Sequence, residues 1–154
     1  MSPKEGVCSN YSYHRNGSVE TDISCWSNVT GASVERSNTH ASNGDYSVHV
    51  YMNGSGGSDR YGLCNSPVPG AGPWIVTADV YITGNGTSDY NRGIWAHDSN
   101  NLVSSAGYNL SLVNQWQKIS RTINSTSSAT SIVTRFYALN GYDVYVDNVR
   151  ITKG

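Results

Sequence analysis

Trp74-Ile75-Val76-Thr77-Ala78-Asp79-Val80-Tyr81-Ile82 is the stretch whose reading decides the fold. Val76, Ala78, Val80 and Ile82 alternate with Thr77, Asp79 and Tyr81, and alternation of this kind marks a β-strand with one buried and one outward face. Outward from it, turn signals recur at Asn16-Gly17, Asn43-Gly44, Asn53-Gly54, Pro69-Gly70, Gly84-Asn85-Gly86 and Asn140-Gly141. Between them lie short β-rich runs over residues 32–36, 46–51, 74–83, 90–98, 115–123, 132–139 and 142–151. No window shows a capped 3.6-residue apolar period, so the spacing predicts an all-β, antiparallel sandwich or barrel.

The same alternation assigns faces elsewhere. Ile94 and Ala96 point inward and leave Trp95 and His97 outward. Ile132, Thr134, Phe136 and Ala138 share one side, Val133, Arg135 and Tyr137 the other. If these runs are neighbours, Trp95, His97, Arg135, Tyr137, Asp79 and Tyr81 make one surface of rings flanked by donors and acceptors. Trp116, at the start of a run, reads as core or rim packing. In the last run Val144 and Val146 are in phase, whereas Val149 and Ile151 are one step off. A bulge near Asp147-Asn148 restores the inward side and turns the Asp147 carboxylate to the sheet edge, a place for a hard cation bound by oxygen.

Composition narrows the function classes. The chain has 154 residues, with 10 Lys plus Arg against 11 Asp plus Glu and only 14% charged positions. That length suits one domain with a core of its own. Nothing approaches the roughly 20 consecutive apolar residues of a membrane-spanning helix, and a net charge of −1 lacks the basic field that nucleic acid demands. With 11 Tyr and 4 Trp against one Phe, the chain is too aromatic for disorder, and its rings mostly carry a polar tip. Tyr is also simply favoured in strands. Rings beside small polar residues nevertheless resemble a contact surface, and they suit sugars, whose pyranose rings show C–H bonds on the face and hydroxyls at the edge. Residues 1–8 read as a flexible leader, with no apolar segment of a signal peptide behind Met1, and residues 9–154 as a single domain.

Cys8, Cys25 and Cys64 are an odd number, so at most one disulfide forms within the chain. Cys8 to Cys25 and Cys25 to Cys64 are both open, as are three buried thiols. Low charge and richness in Asn, Ser and Thr point to a secreted protein.

Three motifs carry a family likeness. Asn16-Gly17-Ser18-Val19-Glu20 followed by Trp26, then Ser42-Asn43-Gly44-Asp45-Tyr46-Ser47-Val48, then Tyr145-Val146-Asp147-Asn148-Val149-Arg150-Ile151 resemble, in this order, carbohydrate-binding modules of families 4, 9, 16 and 22. The resemblance runs from about residue 10 to residue 153. It implies a jelly-roll β-sandwich with a concave ligand-binding sheet and a structural calcium. By position, calcium would be held by the Ser18 carbonyl, the Glu20 carboxylate, a carbonyl of the turn around Asp45 and the Asp147 carboxylate. Tyr61, in Asp59-Arg60-Tyr61-Gly62, would be a cleft-wall residue. Val19 stands where the family usually has Phe, and Arg135 where some xylan binders have an acid or a neutral group. Arg60, Arg92 and Arg135 point instead to a uronate-bearing chain.

An enzyme cleaving glycosides would need two carboxyl groups across a cleft. Glu5 lies in the leader, Glu20 is claimed by the metal and Glu35 lies off the proposed face, which leaves Asp79 with Asp98 as the one pair. His14, His40, His49 and His97 lack metal or triad spacing, and no nucleophile elbow or phosphate loop is present. The sequence therefore predicts a non-catalytic, secreted, monomeric module. It would bind a β-linked plant or algal polysaccharide in an aromatic-lined cleft and target an attached enzyme to it. A small polysaccharide lyase using His97 and Tyr137, and a protein-binding adhesin sandwich, are the alternatives.

Overall fold

The computed structural model describes residues 11–54 and 56–154. Cys8 and the expected leader lie outside the described residues. Ten strands form among those described: β1 (Ser27–Asn28), β2 (Ala32–Ser37), β3 (Ser47–Met52), β4 (Tyr61–Pro67), β5 (Trp74–Ile82), β6 (Ile94–Asp98), β7 (Val103–Ala106), β8 (Trp116–Ile123), β9 (Ser131–Tyr137) and β10 (Val144–Lys153). They build two five-stranded sheets, ordered β1-β4-β9-β6-β7 (the front sheet) and β2-β3-β10-β5-β8 (the back sheet). The strand pairings are antiparallel. Of the sandwich or barrel that the strand spacing predicts, the sandwich forms, and it is the jelly roll that the family resemblance implies.

Inward positions of both sheets meet in one core. Val76, Ala78, Val80 and Ile82 of β5 are fully buried, as are Ile94 and Ala96 of β6 and Ile132, Thr134 and Phe136 of β9. Each such Val or Ile contributes roughly 1.5–3 kcal/mol of burial free energy. The expected slip in β10 is present: its register on β5 shifts between Asp147 and Arg150, and Asn148 takes φ 49°. Val144 and Val146 before the shift, and Val149 and Ile151 after it, therefore all face the core.

Cys25 is bonded to Cys64 of β4, 39 residues away. Closing a loop of that length contributes about 4 kcal/mol on the chain-entropy account. The segment before β1 is also pinned to both sheets. Tyr13 N donates to the Ile151 carbonyl at 2.8 Å, and Arg15 N donates to Ser66 Oγ at 3.1 Å.

Residues 90–98 are not one strand. Asp89–Asn91 forms a 3₁₀ turn, and Tyr90 and Asn91 sit at φ 55° and 53°, so the extended run begins only at Ile94. This break matters for the site. Continuous alternation would have put Arg92 inward with Ile94 and Ala96; the left-handed pair instead returns it to the outer surface.

Candidate functional site

The outer face of the front sheet is laid out by register. Leu63, Arg135, Trp95 and Ser105 face one another across β4, β9, β6 and β7, and the next row is Asn65, Val133, His97 and Val103. Tyr61 pairs with Tyr137 in a third row. Five of the residues expected at a sugar site, Tyr61, Trp95, His97, Arg135 and Tyr137, therefore share this face.

They are not equally accessible. Trp95, His97 and Arg135 are half-buried, whereas Tyr61 is 8% exposed and Tyr137 is fully buried. Tyr137 donates its hydroxyl to Asp59 Oδ1 at 2.5 Å and accepts from Arg92 Nη1 at 3.1 Å. Burial, then the Asp59 carboxylate, pushes its phenol above the ordinary value, so it stays a neutral donor. Tyr61 packs on Tyr137 with centroids 5.1 Å apart. Both rings are the floor of the site rather than its walls.

Two arginines lie on the rings. Arg92 holds its guanidinium carbon 3.8 Å from the Trp95 ring centre and 4.8 Å from that of Tyr90, with a 3.4 Å contact to Asp59. Arg135 lies 4.6 Å over Tyr61. Such cation–π contacts are worth roughly 0.5–2 kcal/mol, more when desolvated. The Arg135 Nε is buried without a hydrogen-bond partner, while Nη2 reaches His97 Nε2 at 3.3 Å. Tyr90, 63% exposed, was not expected at the site, and Arg92 was expected only through its charge. Their signal was an aromatic-Asn-Arg-Gly segment just before a strand. Beside Arg92 lies a hollow of about 50 Å³ lined by Thr87, Ser88, Tyr108 and Leu139 among others, with room for a few waters.

Asp79 and Tyr81 do not belong to this face. They sit on β5 in the back sheet, so the core separates them from Trp95; the expected six-residue surface joins strands that are not neighbours. Asp79 instead accepts from Ser42 Oγ at 2.8 Å and pairs with Lys118 at 2.9 Å. Tyr81 joins a row of rings across the back sheet. His49 is stacked between Tyr51 and Tyr145 at 4.4 and 4.7 Å. His40 stacks on Tyr81 at 4.0 Å, and Tyr81 meets Trp116 edge-on at 5.4 Å. His49 spends both ring nitrogens on Glu35 and Asp143, each at 2.8 Å. These rings cover one another's faces, and both ring nitrogens of His49 are engaged.

The candidate acids are equally dispersed. Asp98 is 1% exposed on the inner side of β6, away from Asp79 on the outer side of the back sheet. Burial alone would raise its carboxyl, but the Ser125 hydroxyl and the N–H groups of Leu102 and Asn100 outweigh it and hold the group below the usual range. It caps the β6–β7 turn. The alternative pair, His97 with Tyr137, has its tyrosine sealed off.

At the β10 bulge, Asp147 is fully buried. Its Oδ2 accepts from Ser42 N at 2.9 Å and Asn43 N at 3.0 Å, and its Oδ1 from Asn148 N at 2.7 Å. Burial pushes its carboxyl up despite these donors. Glu20 grips the other end of the same turn, accepting from Asp45 N at 2.7 Å and Tyr46 N at 3.0 Å. Gly44, at φ 68°, keeps the turn open: a Cβ there would lie 2.2 Å from Glu20 Oε1. Among the described residues no three His, Cys, Asp or Glu side chains gather tightly enough to hold an ion by themselves. Two carboxylates converging on one turn, one of them buried without a cationic partner among the described residues, nonetheless fit a hard cation in donor chemistry, provided main-chain oxygens complete the set.

No family model matches the chain, and no curated protein matches it. Solved structures do match over nearly the whole length. The C-terminal family 22 carbohydrate-binding module of Clostridium thermocellum Xyn10B superposes with a TM-score of 0.64 at 18% identity, covering 98% of this chain and 97% of that one. A family 22 xylan-binding domain gives 0.63 at 16%, covering 94% and 96%. The K3 adhesin domain of Lys-gingipain from Porphyromonas gingivalis gives 0.59 at 14%, covering 90% and 97%. This chain thus has the β-sandwich fold of carbohydrate-binding modules.

Proposed function

We propose that this protein is a secreted, non-catalytic carbohydrate-binding module that lays a polysaccharide chain on the outer face of its front sheet and brings an attached enzyme to its substrate. One observation carries the reading: half-buried Trp95, His97 and Arg135 stand side by side across β6 and β9, with Arg92 lying over one face of the indole and leaving the other for a sugar. Ring area with donors at its edge matches the C–H face and hydroxyl girdle of a pyranose. The back-sheet rings offer less, since their faces are already stacked. The Cys25–Cys64 bond supports an oxidising, extracellular setting. Glu20 and Asp147, with main-chain carbonyls, are the groups that would hold a structural calcium. Bound there, the ion would supply the counter-charge that buried Asp147 lacks.

The likeness to an adhesin domain favours, as a second reading, a protein ligand on the same face. Affinity electrophoresis against a panel of plant and algal polysaccharides separates the two. The wild-type chain is expected to be retarded by at least one polymer. Trp95→Ala should weaken that binding by about 2 kcal/mol, some 30-fold, while the variant still unfolds cooperatively, and Trp116→Ala on the back sheet should leave binding intact. Retardation by no polysaccharide would overturn the reading, and release of sugar products would overturn its non-catalytic part.

A further inference from the structure

We propose that Arg135, oriented by His97, forms a carboxylate subsite on the front sheet, so that the chain bound there carries uronate residues. This rests on the polysaccharide reading above and names the ligand class of the same face. The arginines of the region differ in how far they are already engaged. Arg60 is held by Asp89 through Nε and Nη2, both at 3.1 Å. Arg92 pairs with Asp59. Arg135 pairs with no carboxylate among the described residues: its Nε is buried without a partner, its Nη2 meets the acceptor His97 Nε2, and its side chain also bonds the Tyr137 phenol.

The tautomer of His97 follows from its other contact. Nδ1 lies 3.0 Å from the Asp98 carbonyl, which only accepts, so Nδ1 carries the proton and Nε2 presents a lone pair to Arg135. The imidazole therefore aims the guanidinium without neutralising it. Outward positions on β4, β9, β6 and β7 include no acid, so nothing on these strands supplies the missing counter-charge. With Nε buried, only the terminal Nη1 and Nη2 end of this guanidinium can face a ligand, and a guanidinium end held beside rings with no carboxylate partner is suited to a planar carboxylate by charge-assisted N–H···O bonds. Trp95, the register partner of Arg135, offers ring area next to that fork. A uronic acid presents the same two features together, a pyranose ring and a carboxylate at its edge.

The test compares binding of polygalacturonate, glucuronoxylan and alginate with that of their carboxyl-reduced forms, by affinity electrophoresis and calorimetry. At least one acidic polymer should bind at least tenfold more tightly than its reduced form, and the preference should shrink as salt rises. Arg135→Gln should erase the preference. Arg135→Lys, which keeps the charge but not the fork, should retain only part of it, and both variants should still unfold cooperatively, within a few degrees of the wild-type chain. Equal binding of acidic and reduced forms, or a preference untouched by Arg135→Gln, would overturn the subsite while leaving the polysaccharide reading in place. Binding of no glycan of either kind would overturn both.

Discussion

His14 is a base enclosed without an acid. It is 8% exposed, its Nδ1 accepts from Asn16 N at 3.2 Å, and its Nε2 lies 3.3 Å from Thr134 Oγ1. Burial lowers its pKa from 6.5 to about 4, so the folded chain holds the neutral ring. Below pH 6.5 the unfolded chain takes up a proton that the folded one refuses until about pH 4. Stability therefore falls across that window and the loss levels off below it, by a total of the order of 3 kcal/mol. Denaturant melts from pH 7 to pH 4 should show the loss, and His14→Gln should remove that share of it. An unchanged pH profile in His14→Gln would contradict the assignment. The sequence offered no hint of this role, because burial of a residue in the irregular arm before β1 is decided by what the arm lies on, here β9 and Trp26.

At the scale of elements, the two strands with clear alternation or a clear break in it were legible. β5 reads directly from its alternation, and the phase slip in β10 marks the position of the bulge. β4 and β7 were not legible. Tyr61–Pro67 contains Gly, Cys, Asn, Ser and Pro, and Val103–Ala106 is four residues with two serines; both are strands because neighbouring strands supply their hydrogen bonds, not because of intrinsic preference. Missing them hid which strands share a sheet, which is why Asp79 and Tyr81 were grouped with Trp95. The bulge also sets up a prediction. Residues 42–46 are held from one end by Asp147 and from the other by Glu20, and a calcium ion bound there would stabilise the folded state by linkage, about 2.7 kcal/mol at a hundredfold excess over its dissociation constant. Differential scanning fluorimetry should show a melting temperature that rises with calcium and falls with chelator, and Glu20→Gln should abolish the response. Melting that is indifferent to calcium would remove the ion from the account.

At the scale of the whole molecule, a sandwich has two outer faces, and here both carry aromatic residues. What distinguishes them is how far each face satisfies itself. Tyr51, His49, Tyr145, His40 and Tyr81 pack on one another, and both ring nitrogens of His49 are taken by Glu35 and Asp143, so the back face offers less free ring area. The front face leaves a cation unmatched at Arg135 and an indole backed by Arg92. Composition announced a ring-rich surface but not its location, since face assignment needs the strand order and strand order is a property of long-range pairing. The most direct test is a titration of ¹⁵N-labelled protein with the polysaccharide fragment it retains, followed through the tryptophan indole N–H signals. The Trp95 signal and the backbone amides of β6 and β9 should shift in proportion to occupancy while the Trp116 signal stays in place. Movement of Trp116 and its β5 neighbours, with Trp95 unmoved, would contradict this.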